Sequence, residues 1–170
     1  MINGNLLSGT VSSSSTDAFS LFEKSSIGVK DSGKIVYSFS EVLYLVEGKK
    51  MEVFINSKKL SFDDLLKRFS RLDKKIQMKY TVFSDLRKKG YIVKTALKFG
   101  ADFRVYEKGK KMGDSHAKWI VFVESESNKI SWNEFSAKNR VAHSTKKKLL
   151  IGIVDDENDV LYYEVSWVKV

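Results

Sequence analysis

The sequence predicts an α+β fold of two domains, a mixed α/β domain over residues 1–75 and a second domain over residues 76–170. Apolar residues at helical spacing dominate from residue 38 to residue 89, whereas strand-type runs dominate after Gly90. Two of these later runs are continuously apolar, which is typical of strands that are covered on both faces. We therefore expect the second domain to contain a central mixed β-sheet flanked by helices.

Residues 1–37 are expected to form short, exposed β-hairpins. Four consecutive serines at residues 12–15 indicate a polar loop. The run K-D-S-G at residues 30–33 is a turn signal before a strand-like segment at residues 34–37.

Two serine–acid pairs mark helix starts in the first domain. Ser38 with Glu41, and Ser61 with Asp64, have the spacing of a capping box, in which the serine and the acid satisfy each other's free backbone N–H groups. Gly48 is a suitable end for the first of these helices.

A strand and a longer helix complete this region. Residues 51–55 read as a strand, and a helix is expected from about residue 73 to residue 89, with Gly90 as its end. One face of this helix is basic, which usually means contact with solvent but also suits contact with phosphates.

The second domain is predicted to contain five strands and one further helix. Ser131 is expected to cap this helix, which runs from residue 132 to about residue 138. The predicted strands are residues 91–93, 103–106, 119–123, 149–154 and 160–168.

Composition excludes several classes of site. The chain has no cysteine, so disulfides, thiol catalysis and zinc ribbons are excluded, and its two histidines do not suffice for a histidine-rich metal site. No apolar run approaches the roughly 20 residues that span a bilayer. The N-terminal residues also lack the pattern of a signal peptide. We therefore expect a soluble, cytoplasmic protein without a membrane partner.

The net charge of +9, from 30 Lys and Arg against 21 Asp and Glu, favours a polyanionic partner. The same excess also occurs in proteins whose lysines serve only solubility. Charge alone leaves both interpretations open.

Three polar side chains next to predicted strands suggest RNA cleavage. Tyr106 ends a strand, His116 precedes the strand at residues 119–123, and Lys147 precedes the strand at residues 149–154. Attack by the 2′-hydroxyl of RNA needs a base, an acid and positive charge at the phosphate. Histidine suits the acid role and lysine the charge, whereas tyrosine, with an ordinary pKa of about 10, is an unusual base. Each residue also has a simpler interpretation. Tyr106 could pack at the end of its strand, His116 could lie in a solvent-exposed turn, and Lys147 could belong to a charged run before its strand.

Three segments around these residues carry a family resemblance. They are Y-T-V-F-S-D-L-R-K-K-G-Y-I-V-K-T-A-L-K-F-G-A-D-F-R-V-Y at residues 80–106, S-H-A-K-W-I-V-F-V at residues 115–123 and R-V-A-H-S-T-K-K-K-L-L-I-G-I-V-D at residues 140–155. In content, order and separation they resemble the archaeal tRNA-splicing (tRNA-intron) endonuclease family. The resemblance covers nearly all of residues 60–170, whereas the first 50 residues match poorly.

The resemblance implies a nuclease-like second domain with Tyr106 as general base, His116 as general acid and Lys147 as the cation at the transition state. The choice of Lys147 over Lys146 follows from aligning K-K-L-L. Members of this family cut precursor tRNA at a bulge-helix-bulge without a metal or cofactor. They leave a 2′,3′-cyclic phosphate and a 5′-hydroxyl.

The resemblance also implies an RNA-binding residue and a subunit contact. Arg140 stands where the family has an arginine that stacks on a bulge base. The resemblance does not place its companion; Tyr162 or Trp167 could serve, and packing is the alternative interpretation of both. An acidic loop of the family docks into a neighbouring subunit, and the chain is expected to form a homo- or heterotetramer. The corresponding acids here are Asp155, Asp156, Glu157 and Asp159.

Two rival functions are weighed against this one. A metal-dependent DNA nuclease would need an Asp and an E-x-K on adjacent strands; Asp102 is available, but no strand carries E-x-K. A non-catalytic RNA-binding or assembly subunit would keep the basic surface and the acidic loop. It would have no use for Tyr106, His116 and Lys147 together.

Overall fold

The computed structural model describes residues 1–109, 113 and 116–170 of the chain. It divides into two compact units, Met1–Phe83 and Ser84–Val170. The predicted domain boundary after residue 75 stays a prediction. Within the described residues, no helix is long and apolar enough to cross a membrane.

The first unit contains a six-stranded mixed sheet, in which most neighbouring strands are antiparallel. The strands are β1 (Ile2–Leu7), β2 (Thr10–Ser13), β3 (Val29–Asp31), β4 (Lys34–Tyr37), β5 (Met51–Ile55) and β6 (Lys58–Leu60), and the helices are α1 (Thr16–Ser25), α2 (Phe39–Glu47) and α3 (Phe62–Leu72). The spatial order is β3-β4-β2-β1-β5-β6, with β1 and β5 parallel.

The expectation for residues 1–37 is wrong in two respects. The strands do form two hairpins, β1–β2 and β3–β4, but these are not exposed, because they join one sheet and bury Val11 and Ile35 completely. Helix α1 was not predicted, and the expected serine loop is divided between β2 and the cap of α1, where the Ser15 hydroxyl accepts from the backbone N–H of Ala18. Only the assembled sheet makes these apolar residues part of a core.

Both predicted capping boxes are confirmed. In α2, Ser38 accepts from the backbone N–H of Glu41, and the Glu41 carboxylate accepts from the backbone N–H of Ser38. In α3, Ser61 and Asp64 exchange the same pair of bonds. Gly48 ends α2, as expected.

The long helix α4 (Ile76–Lys88) begins three residues later than predicted, because Asp73 is engaged elsewhere. Asp73 ends α3, and its Oδ1 accepts from the backbone N–H of Lys75 at 2.9 Å. The predicted end at Gly90 is confirmed: its φ is +90°, a conformation that glycine adopts without steric cost.

The second unit contains the predicted central mixed sheet, and the α+β class is confirmed. Its order is β11-β10-β9-β8-β7; β9 and β10 are parallel, and the other pairs are antiparallel. The elements are β7 (Ile92–Ala96), a 3₁₀ turn (Leu97–Phe99), β8 (Ala101–Tyr106), β9 (Trp119–Ser125), α5 (Trp132–Ser144), β10 (Lys148–Val154) and β11 (Val160–Val165).

Several predicted ends in this unit are wrong; among the strands, β7 continues to Ala96 rather than to residue 93, and β9 to Ser125 rather than to residue 123. Helix α5 continues to Ser144 rather than to about residue 138, because Val141 and Ala142 pack into the core beside β9 and β10. Strand β11 was predicted to continue to residue 168 but ends at Val165, the last of its residues that pairs with β10.

Candidate active site

One edge of the second sheet brings three strand ends together. Val105 of β8, Trp119 of β9 and Lys148 of β10 are register partners across the sheet. Because β8 runs antiparallel to β9 and β9 runs parallel to β10, the end of β8 lies beside the starts of β9 and β10. The three predicted catalytic residues all lie at this edge.

Tyr106 is the last residue of β8 and is 7% exposed. It pairs with Ile92 of β7, which fixes its position along the strand. Side chains alternate along a strand, so Tyr106 shares a face of the sheet with Arg104. The Nε of Arg104 is buried and has no hydrogen-bond partner among the described residues.

His116 is exposed and lies three residues before β9. The chain is anchored just after it, since the backbone N–H of Lys118 donates to the carbonyl of Val105 at 2.9 Å. This bond continues the β8–β9 pairing toward His116. Asp114 and Ser115, which directly precede His116, lie outside the described residues.

Lys147 lies between the end of α5 and the start of β10 and is partly buried. Its Nζ donates to the carbonyl of Thr145 at 2.8 Å and lies 5.7 Å from the centroid of the Phe99 ring. The carbonyl bond and the ring together orient the ammonium group. Phe99 was not predicted from the sequence, because only the fold brings residues 48 positions apart together.

Arg140 lies on α5 and lines a cavity of about 440 Å³ together with Trp167. The ring of His143 is 5.0 Å from that of Trp167, with the planes inclined at 58°. His143 and Asn139 were not predicted as site residues, because neither belongs to a motif of its own. The full lining is Phe135, Ser136, Asn139, Arg140, His143 and Trp167.

Tyr162, the other candidate companion of Arg140, packs against Asp85 and Lys89 instead. Its hydroxyl donates to Oδ2 of Asp85 at 2.7 Å, and the Nζ of Lys89 lies 5.1 Å from its ring centroid. Burial, and then the hydrogen bond to Asp85, raise the pKa of the Tyr162 phenol far above its usual value. The structure therefore brings Trp167, and not Tyr162, to the cavity that Arg140 lines.

The acidic loop between β10 and β11 is a tight turn organised by its first residue. Oδ1 of Asp155 accepts from the backbone N–H groups of Glu157 at 2.9 Å and Asp159 at 2.8 Å. Asp156, Glu157 and Asp159 are exposed. One acid thus shapes the loop, and three present their charge to solvent. Docking to a neighbouring subunit stays a prediction.

Among the described residues, no three His, Cys, Asp or Glu side chains are grouped so that they could hold a metal ion. The residues at the sheet edge instead offer a phenol, an imidazole and an ammonium group. These groups can accept a proton, donate a proton and stabilise negative charge.

Comparisons with known proteins connect the chain to a family. Residues 76–162 match the model of the tRNA intron endonuclease, catalytic C-terminal domain. The chain is 41% identical over 149 residues to a tRNA-splicing endonuclease of Thermococcus onnurineus, covering 88% of this chain and 85% of the relative. A relative of the same description from Nanoarchaeum equitans is 44% identical over 135 residues, covering 76% and 86%. One from Methanothermobacter thermautotrophicus is 38% identical over 149 residues, covering 88% and 86%.

These matches correct one expectation from the sequence. A match of 149 residues in a chain of 170 leaves too few residues outside it to omit the first 50. The similarity therefore extends into the first unit and is not confined to residues 60–170. With this extent and with the family's catalytic domain over residues 76–162, the chain belongs to the tRNA intron endonuclease family.

Proposed function

We propose that this chain is the catalytic subunit of a tRNA-splicing endonuclease that excises introns from precursor tRNA at bulge-helix-bulge sites. Support comes from relatives of that name, which align with this chain over more than four-fifths of their own length. The observation that carries the catalytic role is the gathering of Tyr106, His116 and Lys147 at one edge of the sheet.

The proposed reaction is an internal transfer at phosphorus. The 2′-oxygen attacks the adjacent phosphate and gives up its proton to Tyr106 as general base. A new bond forms between phosphorus and the 2′-oxygen while the bond to the 5′-oxygen breaks, and His116 donates a proton to that leaving oxygen. The products are a 2′,3′-cyclic phosphate and a 5′-hydroxyl.

Lys147 stabilises the charge that builds on the phosphate oxygens during this transfer. Continuing the strand register pairs residue 106 with residue 118 and residue 118 with residue 147, so about 10 Å separates the backbones of Tyr106 and Lys147. Two long side chains at that separation are able to approach one phosphate from two sides. His116, which is exposed, approaches from the solvent side.

In this mechanism each catalytic role belongs to a side chain of the protein, so the reaction needs neither a metal nor another cofactor. Of the three roles, that of general base is the hardest to fill with a tyrosine, because an ordinary phenol is protonated at neutral pH.

Substrate recognition is proposed to use Arg140 and Trp167. A guanidinium plane and an indole ring are both suited to stacking on an unpaired base. Their shared cavity of about 440 Å³ lies at α5, the helix that leads directly to Lys147.

Assembly follows from the substrate. A bulge-helix-bulge has two cleavage sites, so two active sites must act on it. We propose a homo- or heterotetramer with a related subunit, held in part by the exposed acids Asp156, Glu157 and Asp159 in a basic groove of the neighbour. Such an enzyme would work in the cytoplasm, where precursor tRNA is processed.

The test compares the purified chain with His116→Ala on a bulge-helix-bulge RNA in the presence of EDTA. We expect cleavage by the wild type and a rate lower by about 10²–10⁴-fold in the variant, the usual contribution of a general acid. RNA affinity should be unchanged, which separates loss of chemistry from loss of binding.

Two outcomes would contradict the mechanism: loss of cleavage in EDTA that added Mg²⁺ restores, or full activity of His116→Ala. If the wild type binds RNA without cutting it, candidate partner subunits are added back. Cleavage that then still depends on His116 of this chain supports the catalytic role, whereas independence from it makes this chain a non-catalytic subunit.

A further inference from the structure

Helix α5 carries an aromatic and polar stripe that the proposed chemistry does not use in full. Its members recur three and four positions apart, which places them on one face of the helix. From first to last they span about 16 Å along the helix axis at 1.5 Å per residue. We call this set the α5 stripe: Trp132, Phe135, Ser136, Asn139, Arg140 and His143.

The start of the α5 stripe is an open aromatic platform. Trp132 is 82% exposed, and its ring lies 5.7 Å from that of Phe135 with the planes at 89°. Phe135 in turn packs against the core beside the sheet. The edge-to-face contact therefore orients the indole ring against an anchored neighbour and leaves its surface accessible to a ligand.

The other end of the α5 stripe adjoins the candidate active site. His143 contacts Trp167, and Arg140 lines the same cavity. Three residues after α5 ends, the chain reaches Lys147. The stripe thus runs from the catalytic edge of the sheet outward to Trp132.

We propose that the α5 stripe is a track for single-stranded RNA, in which the Trp132–Phe135 platform stacks an unpaired nucleobase beyond the base held at Arg140. This inference rests on the proposed function. Aromatic rings with interspersed basic and amide side chains are suited to unpaired RNA, because every base offers a face for stacking and polar edges for hydrogen bonds.

The composition of the stripe favours RNA over a protein partner. Its rings are separated by Ser136, Asn139 and Arg140, whereas the centre of a protein interface is a more continuous apolar patch. The nearby carboxylate of Glu134 is occupied at the helix cap, where Oε2 accepts from the backbone N–H and hydroxyl of Ser131. None of the six members of the α5 stripe is acidic, and the one permanent charge among them, on Arg140, is positive.

The first test is ultraviolet cross-linking of the full chain to a bulge-helix-bulge RNA, followed by trypsin digestion. Cleavage after Lys129 and Lys138 isolates the platform in residues 130–138, while Trp167 falls in residues 149–169. We expect RNA adducts on both peptides. Adducts on residues 149–169 without any on residues 130–138 would overturn the platform alone. The absence of adducts from both would also count against the proposed function.

The second test measures the Kd of the same RNA for Trp132→Ala and Trp132→Phe. Alanine should raise the Kd about five- to a hundredfold, the range found for the loss of one base stack, and phenylalanine should restore most of the affinity. Leu97→Ala, which alters a side chain that is 76% exposed on the 3₁₀ turn, is the matched control and should bind as the wild type does.

An abasic RNA series identifies the stacked nucleotide. Removing one base near the bulge should abolish the difference between wild type and Trp132→Ala, while removal of the other bases leaves it. An unchanged Kd in Trp132→Ala contradicts the inference. So does an altered oligomeric mass in place of an altered Kd, which would make Trp132 part of a subunit contact. Equal Tm values for the variants show that the fold is intact.

Discussion

Helices α2 and α5 begin with the same capping box but differ in what their faces contact. Helix α2 buries five of its nine residues, including the acid of the box, Glu41. In α5, whose 13 residues are all described, the buried residue is Ala142. A capping box specifies where a helix starts; it does not specify whether the helix becomes part of a core or presents a binding surface.

The acids of the two capping boxes, Glu41 in α2 and Glu134 in α5, differ in burial in the same way as the helices do. Glu41 is 3% exposed, and besides capping α2 it accepts from the backbone N–H of Gly28 at 2.9 Å. Glu134 is exposed and bonds back to Ser131. The box of α2 therefore joins two parts of the first unit, whereas the box of α5 is local. Burial makes the first a stability element and leaves the surface of α5 available for function.

Among the variants that compare the two helices and their surroundings, the largest effect is expected just beyond α5. Lys147→Met removes the ammonium group but keeps the aliphatic chain beside Phe99, so the single-turnover cleavage rate should fall about 10²–10³-fold while the Tm stays near that of the wild type. Lys146→Met is the matched control and should retain the wild-type rate. An equal loss in Lys146→Met would show that the assignment of the cation to Lys147 is wrong.

In α2 we expect the opposite pattern, a loss of stability without a loss of cleavage activity. Glu41→Ala removes the carboxylate that accepts from the buried N–H group of Gly28 and the partly buried N–H group of Ser38, and we expect a loss of about 2–4 kcal/mol in the free energy of unfolding. Cleavage well below the Tm should be unchanged. Glu134→Ala should cost much less, because water replaces the lost acceptor. Urea unfolding measures both variants, and equal losses would contradict the difference drawn between the two helices.

A smaller effect, on RNA affinity, is expected at the cavity that Arg140 and Trp167 line. Arg140→Ala and Trp167→Ala should each raise the Kd for bulge-helix-bulge RNA about five- to a hundredfold, the range for one lost base stack. The double variant should bind little worse than either single variant if both residues hold the same base. Tyr162→Phe, which keeps the packed ring, should bind normally; weakened binding would restore Tyr162 as the companion.

The smallest effect expected is a pH-dependent change in stability at Glu164, an exposed residue of β11. Hydrogen bonds from the Lys148 ammonium, at 2.6 Å, and from the Trp119 indole hold the pKa of Glu164 below its usual value. A lowered carboxyl pKa stabilises the fold above the unfolded-state pKa, and this stabilisation is lost as the pH falls through the folded-state pKa. Glu164→Gln should therefore lower the Tm slightly at pH 7, and this difference should shrink and disappear as the pH falls below the folded-state pKa. A difference that persists at the acid pH would mean that packing, and not charge, is responsible.

The sequence predicted elements whose signals are local. The boxes at Ser38 and Ser61 were found correctly, as were the buried strands β9 and β10, because a cap or an apolar run is complete within a few residues. The prediction failed where tertiary contacts decide. Helix α1 was missed, α5 continued past its predicted end, and β11 stopped where its partner β10 no longer paired.

By itself the sequence determined the α+β class, the family and the types of side chain available for chemistry, because spacing, composition and motif order are written along the chain. Sheet order and register decided that Tyr106, His116 and Lys147 share one edge. The course of the chain after β11 decided that Trp167, rather than Tyr162, lines the cavity of Arg140. Such pairings join residues far apart in sequence, so their geometry exists only once the strands have paired and the helix has packed.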